Sequence, residues 1–170
     1  TSVGAERNNL LIDAGDGLVT FNANIGQTQR LGMLTVDRAQ AGVVFGAADA
    51  AGVGGSDVVT LVSTDGAIDI GSGMNTADVI GGVGIVFNGG SVGTLTVQTS
   101  EDDIRLNGRV FLQSNLTLDT DEGAATTPTA GAGNVTFTSG SQVDSQNGTF
   151  GATSVGAERN NLLIDAGDGL

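Results

Sequence analysis

The residues Thr1–Leu18 (TSVGAERNNLLIDAGDGL) return unchanged as Thr153–Leu170, an offset of 153 − 1 = 152 residues. Duplicated domains with separate roles drift apart, so an unaltered copy marks recent duplication or continued homogenisation within an array. Residues 1–152 are therefore read as one full repeat unit, and 153–170 as the start of the next. A circular-permutation scar would leave the same overlap. In either case the overlap begins and ends inside strand-like sequence, so a unit is completed by its neighbour, as in linear repeat proteins.

A second, shorter periodicity lies inside the unit. Gly-x-Gly-x-Val-x-Phe occurs at Gly15–Phe21 (GDGLVTF) and Gly131–Phe137 (GAGNVTF), and one residue shorter at Gly82–Phe87 (GVGIVF). Gly-x-Leu-Thr-Val occurs at Gly32–Val36 and Gly93–Val97, with a relative at Leu116–Leu118. Phe21, Phe45, Phe87, Phe111 and Phe137 are spaced 24, 42, 24 and 26 residues apart, and 42 reads as two steps of 21. Only Phe150 falls out of step. A coil of roughly 20 to 25 residues gives about seven coils per unit, and strand stacking at about 4.8 Å gives about 34 Å of axial advance.

Local patterning supports strands throughout. Leu18–Asn24 and Leu116–Thr120 alternate apolar and polar residues, and similar short runs recur at Asn9–Ala14, Met33–Asp37, Val43–Gly46, Val58–Ser63, Ala67–Ile70, Ile85–Asn88, Thr94–Thr99, Asp103–Leu106, Val110–Gln113 and Val135–Ser139. The best helical stretch, Arg38–Ala51, is interrupted by Gly42 and Gly46 around β-branched Val43 and Val44. The reading is all-β: a parallel β-helix (β-solenoid), with a string of immunoglobulin-like sandwiches as the competing architecture. A sandwich of that kind usually carries a core Trp or Tyr, and the sequence has neither.

Composition narrows the function. The chain contains no Cys, His, Trp, Tyr or Lys, which removes the usual zinc sites, catalytic triads and thiol chemistry. Residues 1–152 hold 5 Arg against 16 acids, a charge of 5 − 16 = −11 per unit. Such a polymer repels phosphate backbones, so nucleic acid is not an expected partner. No apolar run approaches membrane-spanning length, so no membrane insertion is expected. No signal peptide is visible, as expected of an internal segment of an exported chain.

The phrases LLIDAGDGLVTFNANIG, LGMLTV and GAGNVTFTSGSQVDSQNGTF resemble the repeats of filamentous-haemagglutinin-like and autotransporter-type giant bacterial surface proteins. That resemblance implies a right-handed parallel β-helix, export across a Gram-negative envelope, and adhesion or fibre formation.

Candidate sites are few. Glu101-Asp102-Asp103 and Asp119-Thr120-Asp121-Glu122 are oxygen-rich turns, and Asp119, Asp121 and Glu122 are the candidate calcium ligands, with a solvated acidic turn as the competing reading. The Gly-Gly-x-Gly-x-Asp nonapeptide of calcium-binding β-rolls is missing, because Gly81–Val86 has no Asp. Asp65, Asp69, Arg105 and Arg109 are the residues a glycan-cleaving β-helix would use; they read better as cross-rung ion pairs with outward acids such as Asp103. No helix follows the glycines at Gly15, which argues against a dinucleotide loop. Asn115, Asn134 and Asn147 open Asn-x-Thr sequons, which in a bacterial chain mark turns and strand edges. The expectation is a non-enzymatic structural or adhesive segment of an extracellular filament, whose partner is itself, through end-to-end stacking and lateral bundling, with surface glycans or other cells as further partners. The alternative is a glycan- or receptor-binding adhesin module, with calcium as its candidate stabilising ion, reading its target through the loops Gly26–Arg30, Ala47–Asp57 and Glu122–Gly131.

Overall fold

The computed structural model of the chain describes residues 7–46, 58–74, 80–89, 93–121, 133–138, 140–145 and 160–166. Among them there is no helix and there are fourteen strands: β1 (Leu10–Gly15), β2 (Leu18–Phe21), β3 (Leu34–Ala39), β4 (Gly42–Phe45), β5 (Leu61–Ser63), β6 (Ile68–Ile70), β7 (Ile80–Phe87), β8 (Thr94–Gln98), β9 (Ile104–Leu106), β10 (Gly108–Leu112), β11 (Asn115–Asp119), β12 (Val135–Phe137), β13 (Val143–Ser145) and β14 (Leu162–Asp165). They form three sheets: A (β1-β3-β6-β9-β12), B (β13-β10-β7-β4-β2) and C (β14-β11-β8-β5). All strand pairs are parallel.

The chain visits A, B and C in strict rotation. The place that a first sheet-C strand would take is marked by Ile25, which bridges Val62 of β5 in parallel. One strand from each sheet makes a layer, and the described residues make five layers, fewer than the expected seven. The shortfall comes from the spacing. Phe45 pairs directly with Phe87, so the interval of 42 residues is one layer with a long connection and not two steps of 21. Along sheet A the steps from Leu34 to Ile68 and from Ile68 to Ile104 are likewise single.

Register turns the alternation into columns. On sheet A, Leu10, Leu34, Ile68, Ile104 and Val135 stack inward, with Ile12, Val36, Ile70, Leu106 and Phe137 beside them. On sheet B the rings of Phe21, Phe45 and Phe87 stack with centroids 5.0 and 5.1 Å apart, and Leu112 continues the column. Phe111 falls one residue out of this phase. It lies with Val44 and Val86 on the outer side of the sheet, and Phe137 belongs to sheet A. The phenylalanine spacing thus holds for three of the five rings. The inward columns merge into one core in which Leu34, Ile70, Ile85, Leu95, Leu106 and Leu118 are fully buried.

Two local devices fit this sequence to the layers. Gly82 and Gly84 have φ of +58° and +74°, which lets β7 take the path from Ile80 to Ile85 while β10 goes only from Gly108 to Val110. The shortened phrase GVGIVF is therefore a bulge. At the corner leaving sheet C, Thr64, Thr99 and Thr120 are buried, one after each strand. Their hydroxyls donate across the turn to the carbonyls of Gly66, Asp102 and Gly133, satisfying groups that the corner takes from water. The common signal is an apolar residue, a polar residue and Thr, as in Val62-Ser63-Thr64, Val97-Gln98-Thr99 and Leu118-Asp119-Thr120.

Candidate interface at the open ends of the sheets

Among the described residues, the large apolar residues left exposed are Leu11 (69%), Leu18 (50%), Val143 (40%), Leu163 (59%) and Ile164 (44%). Every one sits on an outermost strand: β1 and β2 at one end, β13 and β14 at the other. Two of them are core positions by register. Val143 follows Val110, and Ile164 follows Leu118, both of which are fully buried one layer earlier. The core residues that are only partly covered show the same distribution. Leu10, Ile12, Phe21 and Ile25 lie at one end, and Val135, Phe137 and Leu162 at the other.

Among the described residues the core runs through every layer, and its least covered positions are those of the first and last layers. Among the described residues, β1, β2, β12, β13 and β14 are outermost strands, each paired with one neighbouring strand.

The side walls differ in character. All five arginines of residues 1–152 meet an acid. Arg105 Nη1 lies 2.7 Å from Asp69 Oδ1, Arg109 Nη2 lies 3.1 Å from Asp144 Oδ2, and Arg38 Nη2 lies 3.2 Å from Asp16 Oδ1. Arg7 pairs with Asp65, and Arg30 Nη1 is 3.6 Å from the same carboxylate. The Arg105, Arg109 and Arg38 pairs join residues 36, 35 and 22 positions apart in sequence, the span of one layer. The expected cross-rung pairing is present, but Asp103 is not the partner of Arg105 or Arg109. Its Oδ1 accepts hydrogen bonds from the backbone N–H and side-chain amide of Asn134. Arg109 also lies over the Phe111 ring, 4.8 Å from its centroid.

Asp65, Asp69, Arg105 and Arg109 are distributed over three separate ion-pair groups. Of the calcium candidates, Asp119 and Asp121 are half-buried, and Asp119 Oδ1 accepts the Asp121 backbone N–H at 3.0 Å, closing a turn. Glu122 lies outside the described residues, as do the loops Ala47–Asp57 and Glu122–Gly131, Asn147 and Phe150. Among the described residues no group of three or more metal-ligating side chains converges. Sequence patterning did not single out buried Asn107, whose amide donates to the carbonyls of Gly71 and Met74, both at 3.1 Å, and accepts from the Thr138 hydroxyl. No protein-family model, curated protein or solved structure matches the chain.

Proposed function

We propose that the chain is a non-enzymatic structural segment of a tandem-repeat β-solenoid, in which units stack end to end into a stiff extracellular filament. The observation that carries this reading is where the apolar surface lies: among the described residues every large exposed apolar side chain is on an outermost strand, and one of those strands, β14, belongs to the second copy of the repeated segment. Covering those strands with a further layer removes apolar surface from water at about 25 cal/mol per Å². The partner that supplies such a layer without new design is the next unit.

The solenoid has three faces, and each layer advances it by about 4.8 Å. From β1 to its copy β14 there are 14 strand positions, counting Ile25, or 14/3 layers. One unit thus advances the axis by about 22 Å, shorter than the about 34 Å expected from the phenylalanine spacing. The strand-and-turn phrases shared in style with haemagglutinin-like surface proteins support a place outside the cell, on a Gram-negative-type bacterium. The acidic walls keep such a polymer soluble.

Electron microscopy of recombinant arrays of two, four and six units tests the reading. The expected image is an unbranched rod that lengthens by about 22 Å per added unit. Beads joined by flexible connections would overturn it.

A further inference from the structure

The repeated segment does not return to the face from which it started. Its first copy, Leu10–Asp13 within β1, lies on sheet A against β3, and its second copy, Leu162–Asp165, lies on sheet C against β11. Granting the stacked-solenoid reading above, we infer that the junction between units is a rotated one: each new unit begins one face away from its predecessor, and the faces realign only every third unit.

The contact that sets this rotation is specific. Leu116, Thr117, Leu118 and Asp119 pair in register with Leu162, Leu163, Ile164 and Asp165. Leu116 N–H donates to Asn161 O and Thr120 N–H to Asp165 O, both at 2.9 Å, while Asn115 Oδ1 accepts the Asn161 N–H at 2.8 Å. Asn160 adds a side-chain amide bond to Leu112 O at 2.6 Å. The two strands share a pattern, Asn-Leu-Thr-Leu-Asp at 115–119 and Asn-Leu-Leu-Ile-Asp at 161–165, so side chains of like character meet at every pair except the outward Thr117–Leu163.

The fold tolerates such a shift because its faces accept the same phrases. Leu-Thr-Val serves on sheet A at Leu34–Val36 and on sheet C at Leu95–Val97. Val-Thr-Phe serves on sheet B at Val19–Phe21 and on sheet A at Val135–Phe137. Every face presents the same requirement, an inward, outward, inward alternation at one spacing, so a strand carries no label for one wall. Three units then make 14 layers and advance about 67 Å before any surface feature recurs on the same side. A side chain such as Leu11 traces a slow spiral around the filament.

Disulfide trapping tests the junction in a chain of two complete tandem units, which contains no native cysteine. Thr117 and Leu163 are directly opposed and outward, and neighbouring strands at about 4.8 Å lie within disulfide reach. Thr136 is the outward residue of β12, and it would oppose Leu163 if the new unit began on sheet A instead, with Val135 and Phe137 under Leu162 and Ile164. Under mild oxidation, Thr117→Cys with Leu163→Cys is expected to close nearly completely, and Thr136→Cys with Leu163→Cys to stay open. The reverse result overturns the rotation and leaves end-to-end stacking intact. Closure of neither pair overturns both readings, and closure of both overturns a single defined junction. Cryo-electron microscopy of an unsubstituted six-unit array supplies a second reading. Identical cross-sections recurring every 67 Å or so support the rotated junction, whereas recurrence about every 24 Å, five layers, overturns it.

Discussion

Phe45→Ala and Phe21→Ala separate a residue buried by its own unit from one buried by its neighbour. Phe45 is 1% exposed and its ring stacks on both sides, against Phe21 and Phe87. Truncating a ring so enclosed costs about 3–5 kcal/mol, and this includes two stacked contacts worth about 0.5–1.5 kcal/mol each. Phe21 has the Phe45 ring on one side and the open end on the other, so in a single unit its removal should cost about half as much, roughly 2 kcal/mol. In the second unit of a two-unit chain the end is covered, and the cost at the equivalent of Phe21 should rise toward the Phe45 value. With no Trp or Tyr in the sequence, unfolding in urea is best followed by far-ultraviolet circular dichroism, taking the cost from the midpoint shift at constant m. Equal costs for Phe21→Ala in the first and second units, or a Phe45→Ala cost below about 1 kcal/mol, would refute the reasoning that a neighbouring unit covers the outer side of Phe21.

Asn107→Leu should cost about 3 kcal/mol or more, because the buried carbonyl of Met74 loses this donor, and the Gly71 carbonyl and the Thr138 hydroxyl each lose one of two partners; equilibrium unfolding in urea measures it, and a neutral result would show that water replaces the amide. Asp119→Asn should stabilise the chain by up to about 1 kcal/mol at low ionic strength, since Asp119 stands opposite Asp165 and asparagine can still accept the Asp121 N–H. The gain should shrink in about 0.5 M NaCl, where carboxylate repulsion is screened, and a gain unaffected by salt would point to another cause.

The strands were legible where alternation is long enough to carry a period. Leu116-Thr117-Leu118-Asp119 reads directly as inward, outward, inward, outward, and it folds so. β13 was missed because Val143-Asp144-Ser145 offers one apolar residue and no alternation, and it is held by its pairing with β10. The layer count was misread because connection length is free at the corners. A chain that spends 24 residues between Phe21 and Phe45 and 42 between Phe45 and Phe87 still stacks the three rings at one spacing. The ion-pair partners failed for a related reason. Asp103 is near Arg105 in sequence, but an outward side chain on a parallel sheet meets residues one layer away, so Asp69 and Asp144 are the neighbours that count. The open ends were implied by the repeat, yet which apolar residues they expose depends on the face each strand occupies, and the recurrence of the same phrases on different faces hides that from the sequence.

The strict A, B, C rotation of the strands has a kinetic consequence. Each strand finds its partner in the adjacent layer, a few tens of residues away, whether the array holds one unit or many. The sequence distance that must be closed to form a contact is therefore set by the layer and is independent of the total length of the polypeptide. On the proposed stacking, an array of units should fold like a zipper, each finished layer acting as the template for the next. Ordering the hundredth layer should take no longer than ordering the tenth.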